Sequence, residues 1–588
     1  MKNDYIVRNT YYSYVFASIL SSLTATAGIL IDNIIVGRYL GSAALGAMGI
    51  VGPVSLVFSA IGNICSGGGG ARAARALGRG QRDQFCLIFT TNMLFVLAVG
   101  GIMTGLGMLC STRIAMVLGA KDALLEPAVD YLRGYFLGTV PTILLSAMMC
   151  FVRIDGSPKL PLLCIGVMSV ANIVLDLMMI FVFHQGMFGM ALATTISYIL
   201  AVATASTHFL KKDSMLKLVR PKGFLKDLSQ TILTGFPTAI SRISDTCKVM
   251  LLNNLLVSYV SVAAVTALNV RTTTSNFLSA VVLGIGQATT PTIGMFFGEE
   301  DRTAVRDTLR ATLRLGLAIN GVLALVLLVF PAFFAQLLGV KDPHLLGMSA
   351  MAIRLFGLGM PLQLVNSVLI NYYQCTKKVS MATMICLMQS LIYTVLFSLI
   401  LIQPMGATGV WLAFLLGEFL TLVSVALVLF IRTKKALLSI DTFMMLDENF
   451  GGDPKDRLEL SIGNSMDEVM EISTGIYKFG QNRSLSRETL NTLSLCIEEM
   501  AGNVVKHAFK PGEKRWLDLT IVDKPEVLIV RIRDNGSPFD PLAYLSAGEV
   551  QGYGILMIRK LAENFEYRRS MGLNNLIIHL KKRSCEGI

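Results

Sequence analysis

Two aspartates stand inside long apolar stretches of this sequence. Asp32 follows a run of apolar residues, and Asp176 lies four residues after Asn172, so Asn172 and Asp176 share one helix face. A charged side chain in lipid costs at least ~2.5 kcal/mol, which makes such residues functional candidates. A carboxyl group removed from water favours its protonated form, and carboxylate oxygens also bind metal cations. The pattern therefore predicts a site that exchanges H+ or Na+.

A second group of polar residues lies near the C-terminus. Glu499, Asn503 and His507 recur every four residues on a predicted helix and form one polar stripe, as a solvated helix face also would. Asp534-Asn535-Gly536 follows a strand, and Gly552-Tyr553-Gly554 opens a helix. An acid can accept a hydrogen bond from an adenine amine, an asparagine can ligate Mg2+, and glycines let backbone amides approach phosphates. The combination predicts a site for ATP and Mg2+.

The composition indicates the elements that hold the first group. Hydrophobic residues make up 53% of the chain and charged residues 15%, which is too apolar for a soluble protein. Twelve mainly apolar segments are each long enough to cross a bilayer, and the first is predicted to be a membrane helix rather than a removed signal peptide. The predicted helices lie near 13–36, 44–66, 84–110, 131–152, 160–183, 187–209, 231–257, 262–290, 309–334, 345–372, 379–402 and 405–431.

Basic residues are concentrated in alternate loops between these segments. Basic loops are typical of the cytoplasmic side of membrane proteins, and they account for the formal net charge of +12. No nucleic-acid partner is therefore expected. An even number of spans then leaves both termini in the cytoplasm, where ATP is available. We expect a multi-pass protein of the bacterial inner membrane. The histidines and cysteines show no metal-ligand spacing, so no metal cluster is predicted from them.

The two halves of the membrane region repeat at a constant shift of 220 positions. Leu118 to Asp122 (LGAKD) falls on Leu338 to Asp342 (LGVKD), and Pro141 falls on Pro361. We therefore predict two six-helix lobes, 1–220 and 221–435, related by an axis along the membrane normal, with a substrate cavity between them. At the same shift Asp32 and Asp176 meet leucines, so ion coupling is expected in the first lobe alone. A linker (436–455) and a two-layer α/β domain (456–588) follow. In this domain the pattern predicts strands at 457–462, 516–522, 526–533, 565–570 and 575–581 and helices at 466–480, 486–509 and 552–564.

Four segments of the first 430 residues carry a family resemblance. They are Asp32 to Gly41 (DNIIVGRYLG), Arg153 to Gly156 (RIDG), Asn172 to Asp176 (NIVLD) and Gly189 to Thr194 (GMALAT). Together they resemble the multidrug and toxic compound extrusion (MATE) family. The resemblance implies export of small amphipathic, cationic compounds in exchange for H+ or Na+, with a cation site at Asp32, Asn172, Asp176 and Thr194. The first helix departs from the family pattern because it lacks the proline that some members carry.

The C-terminal motifs, in their order along the chain, resemble the GHKL (Bergerat-type) ATPase fold and within it the anti-sigma-factor serine kinases. The resemblance implies Glu499 as general base, Asn503 as Mg2+ ligand and Asp534 as adenine contact. His507, Gly536, Gly552 and Gly554 are expected in the nucleotide pocket, and residues 541–551 are expected to form a small lid. The segment Gly572-Leu573-Asn574-Asn575 departs from the family, where a Gly-Thr pair is common.

Three functions remain open on the sequence. The favoured one is an ion-coupled exporter whose ATP-binding domain acts as a regulator or as a serine/threonine kinase on a small protein like an anti-sigma antagonist. A second is a membrane-tethered kinase that uses the transporter shell as a sensor. A third is a flippase for lipids or lipid-linked sugars. ATP-driven pumping is not expected, because the chain contains no Gly-x-x-x-x-Gly-Lys-Ser/Thr loop.

Overall fold

The computed structural model describes residues 5–121, 124–211, 214–434, 439–447, 450–451, 456–483, 485–509, 515–541 and 553–582. The chain forms two compact units. The larger unit comprises Tyr11–Glu299 and Thr308–Met445. The smaller unit comprises Leu446–Ile588 together with two short segments from elsewhere in the chain, Met1–Thr10 and Glu300–Asp307.

The first half of the membrane region contains eight helices. They are α1 (Tyr5–Tyr39), α2 (Gly41–Asn63), α3 (Gly70–Gly78), α4 (Arg82–Val117), α5 (Leu125–Leu137), α6 (Thr139–Ile154), α7 (Leu160–Phe181) and α8 (Gly186–Ser206). A π-helical segment, Ile64–Gly69, joins α2 to α3, and α5 meets α6 at a bend of 47°. The chain therefore crosses the bilayer in fewer spans than it has helices.

The second half follows the same order. Its helices are α9 (Phe224–Tyr259), α10 (Val262–Gly298), α11 (Arg302–Val329), α12 (Pro331–Leu337), α13 (Pro343–Cys375), α14 (Val379–Leu387), α15 (Tyr393–Met405) and α16 (Ala407–Thr433). The helices α4 and α11 begin at Arg82 and Arg302, which are 302 − 82 = 220 residues apart. The backbone thus repeats with the offset found in the sequence.

Among the described residues, ten helical spans are long and apolar enough to cross a bilayer, and the bent pair α5–α6 brings the number to eleven. The one predicted segment that is not among these eleven, 231–257, lies within α9, which is 36 residues long. Charged side chains dilute the apolar character of α9: Lys226, Asp227, Arg242, Asp245 and Lys248. The helix α9 is therefore long enough to cross a bilayer, but it is less apolar than the eleven other spans.

Two glycines allow α3 and α10 to approach at backbone distance. A Cβ atom on Gly298 would lie 2.3 Å from the carbonyl oxygen of Arg75, and one on Gly78 would lie 2.1 Å from that of Met295. Neither contact is sterically possible with a side chain present. The side chain of Arg75 donates hydrogen bonds to the backbone oxygens of Gln374 and Cys375, at 2.9 and 2.8 Å.

We expect Gly298→Ala to lower the stability of the transporter by about 1–3 kcal/mol, because the added methyl group would overpack the α3–α10 contact. The matched control is Gly321→Ala on α11, where a Cβ atom would meet nothing within 4 Å. Thermal unfolding of the detergent-solubilised proteins measures both effects. Equal midpoints for the two variants would contradict the close approach of α3 and α10.

The C-terminal part contains a five-stranded antiparallel sheet in the order β1-β2-β3-β5-β4. The strands are β1 (Arg457–Gly463), β2 (Trp516–Asp523), β3 (Val527–Asp534), β4 (Ala562–Ser570) and β5 (Leu573–Lys581). The helices are α17 (Ile440–Met444), α18 (Met466–Asn482), α19 (Arg487–Asn503) and α20 (Tyr553–Leu561). The predicted elements are present, within a few residues at their ends.

Alternation along the strands explains why this is a two-layer domain. Leu519, Val530 and Ile578 point to one face and are at most 1% exposed, in a core that also contains Ile497 of α19 and Ile558 of α20. The intervening positions face the other side and carry charged residues such as Arg531 and Arg533 together with apolar residues such as Ile529 and Ile577. The helices therefore cover a single face of the sheet.

Two helix ends differ from the sequence prediction. The predicted helix 486–509 is α-helical only to Asn503 and continues as a π-helical turn, Val504–Ala508. The predicted helix 552–564 ends at Leu561, because the chain enters β4 at Ala562 and pairs with β5. Hydrogen bonds to a neighbouring strand thus replace the last helical turn, which local propensity cannot reveal.

Candidate functional sites

The predicted coupling residues of the first lobe meet in one cluster. Asp32 lies on α1, Asn172 and Asp176 lie one turn apart on α7, and Thr194 lies on α8. Asp176 is fully buried and Asn172 is 6% exposed. Three helices therefore bring together residues up to 162 positions apart in the sequence (194 − 32 = 162).

The side-chain amide of Asn172 lies between the two carboxyl groups. One end of the amide is 3.4 Å from both Asp176 Oδ1 and Thr194 Oγ1. The other end is 2.8 and 3.0 Å from the two carboxylate oxygens of Asp32, so the amide nitrogen is best placed there as a donor. Asn172 thus orients Asp32, and the oxygen of the same amide faces Asp176 Oδ1 and Thr194 Oγ1.

The two carboxyl groups lie at opposite ends of the Asn172 amide. A hydrogen bond between two such acids requires a proton, because two ionised carboxylates are both acceptors. Asp176 Oδ2 is buried, and no side chain or backbone group of the described residues donates a hydrogen bond to it. The cluster therefore has the chemistry to hold a proton or another cation between its acids.

The second lobe contains a carboxylate of a different kind. Glu418 on α16 accepts hydrogen bonds on both oxygens, from Asn366 Nδ2 at 2.9 Å and from Gln389 Nε2 at 3.0 Å. Asp245 on α9 accepts a hydrogen bond from Lys248 Nζ on the same helix at 2.8 Å. Both acids are thus satisfied by neighbouring side chains, unlike Asp176.

A small cleft opens between the helical layer and the sheet of the C-terminal domain. It brings together Asn503 and Asp534, two of the residues predicted from the sequence. The cleft is lined by Met500, Asn503, Val504, Ala508, Asp534, Phe539, Pro541, Ile555, Tyr567, Asn574 and Leu576.

Asp534 is held in place by two donors on the same oxygen. The amide of Gly536 and the side chain of Asn574 each donate to Asp534 Oδ1 at 2.8 Å. Asn574 is itself fixed, because its own oxygen accepts hydrogen bonds from Tyr567 and Arg569 at 2.7 Å. The second carboxylate oxygen of Asp534 is therefore the one suited to accept a hydrogen bond from a base.

Asn574 is the functional residue that sequence reasoning did not assign. It occupies the segment where the family commonly has a Gly-Thr pair, and it lies opposite Asp534 in the β3–β5 register. The alternation of β5 and its position next to β3 were the signals that could have revealed it. An amide in this position supplies the donor that a hydroxyl group would otherwise provide.

Nucleotide affinity should weaken as the pH falls through the pKa of Asp534, which is raised above the ordinary aspartate value of about 3.9. Burial raises the pKa of Asp534, although the amide of Gly536, the side chain of Asn574 and the charge of Arg569 partly offset it. Protonation converts the acceptor that an adenine amine needs into a donor. Fluorescent-nucleotide titrations of the full chain across pH 4 to 8 test this, and constant affinity over that range would contradict it.

The remaining predicted residues occupy different positions around the cleft. Gly554 packs against Glu499, since a Cβ atom on Gly554 would lie 2.1 Å from Glu499 Oε2. Gly536 packs against the backbone of Ala508, since a Cβ atom on Gly536 would lie 2.5 Å from the carbonyl oxygen of Ala508. His507 lies on the π-helical turn and is exposed, so it does not continue the stripe of Glu499 and Asn503.

Two predicted features lie outside the described residues. These are Gly552 and most of the expected lid at 541–551. Within the described part of the chain, no group of three or more histidines, cysteines, aspartates and glutamates is placed to hold a metal ion. A Mg2+ ion in the cleft would therefore rely on Asn503 and on the oxygens of its own nucleotide.

Comparison with known sequences identifies both parts of the chain. The MatE family matches residues 17–178 and 237–400, which together exceed half of the chain. The two matches start 237 − 17 = 220 residues apart, the offset of the internal repeat. The histidine kinase-like ATPase domain matches residues 464–580.

Curated relatives align along the transporter. Multidrug export protein MepA of Staphylococcus saprophyticus is 24% identical over 435 residues, covering 73% of this chain and 94% of that protein. The MepA protein of Staphylococcus haemolyticus is 26% identical over 403 residues, covering 68% of this chain and 87% of that protein.

Solved structures share the fold at low sequence identity. One is an outward-facing conformation of a multidrug resistance MATE family transporter, with a TM-score of 0.67 at 19% identity, covering 71% of this chain and 94% of the other. A MOP superfamily transporter from Pyrococcus furiosus has the same TM-score, identity and coverage. The chain therefore belongs to the MatE family of membrane transporters and carries a histidine kinase-like ATPase domain at its C-terminal end.

Proposed function

We propose that this protein is a proton-coupled exporter of small amphipathic, cationic compounds. The observation that carries the proposal is the cluster of Asp32, Asn172 and Asp176, in which a buried carboxylate oxygen has no donor among the described residues. The family and the multidrug export proteins similar to this chain support the choice of substrate. The flippase alternative has no comparable observation in its favour.

The chemistry of the cluster suits exchange by competition. A proton shared between Asp32 and Asp176 neutralises one acid and satisfies Asp176 Oδ2 at the same time. When a cationic substrate occupies the transporter, its charge opposes retention of that proton. Release of the proton leaves the Asp32 carboxylate to be stabilised by the Asn172 amide nitrogen, which donates to both of its oxygens. Each substrate molecule is thereby exchanged for protons.

Proteoliposomes with separately imposed gradients distinguish the coupling ions. We expect an inwardly directed H+ gradient to drive export of a fluorescent cationic dye, and a Na+ gradient of equal size to drive none. Transport by the Na+ gradient alone would replace the proton with Na+ in this proposal. Transport under neither gradient, in protein shown to bind the dye, would remove the coupling role of the cluster.

We also propose that the C-terminal domain binds Mg-ATP and regulates the transporter. Asp534 would accept a hydrogen bond from the adenine amine, Asn503 would ligate Mg2+, and Gly554 leaves room for the side chain of Glu499. As a kinase, the domain would transfer the γ-phosphoryl group of ATP to a protein serine or threonine hydroxyl and release ADP, and Glu499 would accept the hydroxyl proton as the general base that the resemblance implies. Phosphorylation of a protein from cell extract, lost in Glu499→Gln, would favour the kinase over the regulator.

The orientation of the chain follows from its basic loops. We infer that both termini, and with them the ATPase domain, lie in the cytoplasm of a bacterial cell, because the lysines and arginines cluster in alternate loops. Labelling of a cysteine introduced near the C-terminus, by a reagent that cannot cross the inner membrane, tests this. Labelling in intact spheroplasts would contradict it.

A further inference from the structure

The sheet of the ATPase domain has a charged face opposite its core. Arg457 and Glu459 on β1 alternate with the half-buried Leu458 and Leu460. Arg531 and Arg533 on β3 alternate with the buried Val530 and Ile532. The helices cover only the other face. A folded sheet with such a face requires either solvent or a polar partner over it.

The compact unit formed by this domain includes the segment Glu300–Asp307, and that segment supplies the partner. Asp301 is 4% exposed and pairs with three guanidinium groups. Arg457 Nη2 lies 2.9 Å from Asp301 Oδ1, and Arg531 Nη1 and Arg533 Nη2 each lie 3.3 Å from Asp301 Oδ2. We call Asp301 and these three arginines the Asp301 clasp.

Burial alone would raise the pKa of Asp301, but the charges of Arg457, Arg533 and Arg531 outweigh it and hold that pKa well below its usual range. The carboxylate is therefore ionised at neutral pH. Its contribution to stability is lost only as the pH falls through that depressed value, so the clasp does not open at physiological pH by protonation.

The clasp is continuous with transporter helices. Asp301 follows α10, which ends at Gly298, and it caps α11 by accepting a hydrogen bond from the amide of Ala304 at 3.1 Å. Thr303 adds a second link, donating to Glu459 Oε1 at 2.7 Å. A shift of the charged face therefore acts on the start of α11 through Asp301, which caps the helix, and through Thr303.

The N-terminal end of α1 belongs to the same unit. Ile6 is fully buried and Val7 is 6% exposed, and Val7 lines a small cavity together with Asp301 and residues of β1, β2 and β3. The helix that begins there also carries Asp32. Two helices of the transporter thus start within the unit that contains the ATPase domain.

The clasp also borders the nucleotide cleft through adjacent residues. Arg533 precedes Asp534 on β3, and Asn575 follows Asn574 on β5, with Arg533 opposite Asn575 and Asp534 opposite Asn574. Arg533 Nε donates to Asn575 Oδ1 at 2.9 Å. One pair faces the cleft and the next pair faces the clasp, because successive side chains of a strand point to opposite faces.

We propose that Asp301 is the residue through which the nucleotide state of the ATPase domain controls transport. This inference rests on the proposed binding of ATP and specifies how that binding acts. A nucleotide that engages Asp534 and Asn574 shifts the paired residues Arg533 and Asn575. The shift changes how firmly the arginines hold Asp301, and hence the mobility of the start of α11.

The test measures dye export by the full chain in proteoliposomes, with and without Mg-ATP on the side of the ATPase domain. We expect ATP to change the export rate of the unmodified protein by about fivefold or more. Asp301→Asn and Arg457→Gln should bring that ratio close to one, while the export rate without ATP and the affinity for nucleotide remain within about twofold. Glu300→Gln, the exposed neighbouring carboxylate, is the matched control and should keep the full ratio.

Hydrogen exchange of the amides at 300–307 gives a second measurement that does not depend on export. Mg-ATP should change their protection in the unmodified protein and not in Asp301→Asn. An unaltered ATP response in both Asp301→Asn and Arg457→Gln would overturn the proposal. Absence of nucleotide binding by the unmodified chain would instead overturn the proposed function of the domain, and the two failures are therefore distinguishable.

Discussion

Replacing Asp176 with asparagine is expected to abolish proton-driven export, with a loss of about 100-fold or more in the initial rate. The substitution keeps the size of the side chain and its place beside Asn172 and Thr194. It removes the only acid of the cluster that is fully buried, and with it the group that we propose shares a proton with Asp32. Binding of the cationic dye should persist, because the fold of the lobe is unchanged.

The control for this variant is Asp83→Asn, which changes an exposed carboxylate at the start of α4. Its export rate should equal that of the unmodified protein. Dye transport is measured in proteoliposomes, and dye binding is measured separately by fluorescence anisotropy in detergent. Full proton-driven export by Asp176→Asn would show that the coupling proton is carried elsewhere.

Replacing Asp534 with asparagine is expected to weaken ADP binding by about 10- to 100-fold, since a hydrogen bond to a charged group contributes roughly 1.5–3 kcal/mol. The new amide can present a donor to the base. Selectivity for ADP over inosine diphosphate should therefore fall, because the inosine base has an oxygen where adenine has an amine. A role of Asp534 in stability alone would lower both affinities equally.

The matched control is Glu563→Gln, an exposed carboxylate of β4 outside the cleft. Isothermal titration of the full chain with each diphosphate gives the four affinities needed. Retention of a strong preference for ADP in Asp534→Asn would assign adenine recognition to another residue of the cleft.

The coupling cluster could be predicted from the sequence because acidic residues are rare within apolar segments. Aspartates in lipid-spanning segments are costly, so Asp32 and Asp176 stand out without any alignment, and the four-residue spacing places Asn172 beside Asp176. The sequence did not show that the Asn172 amide lies between the acids. That arrangement depends on how α1 and α7 pack, which is a property of the assembled helices.

In the ATPase domain, local sequence patterns predicted the strands but not the contacts between residues far apart in the chain. Strand alternation predicted all five strands, but the π-helical turn after Asn503 moves His507 out of the stripe that its spacing predicted. Asn574 is 40 residues from Asp534 (574 − 534 = 40) and becomes its partner only through the β3–β5 register. Asp301 resembles any acid of a short loop, since its arginine partners lie more than 150 positions away.

The central claim is that a proton and a cationic substrate compete for the cluster of Asp32 and Asp176. The most direct test adds dye to purified protein in weakly buffered detergent solution and measures released protons with a pH indicator. We predict release of about one proton per dye molecule bound at neutral pH, and none in Asp176→Asn. Stoichiometric dye binding without proton release by the unmodified protein would contradict the claim.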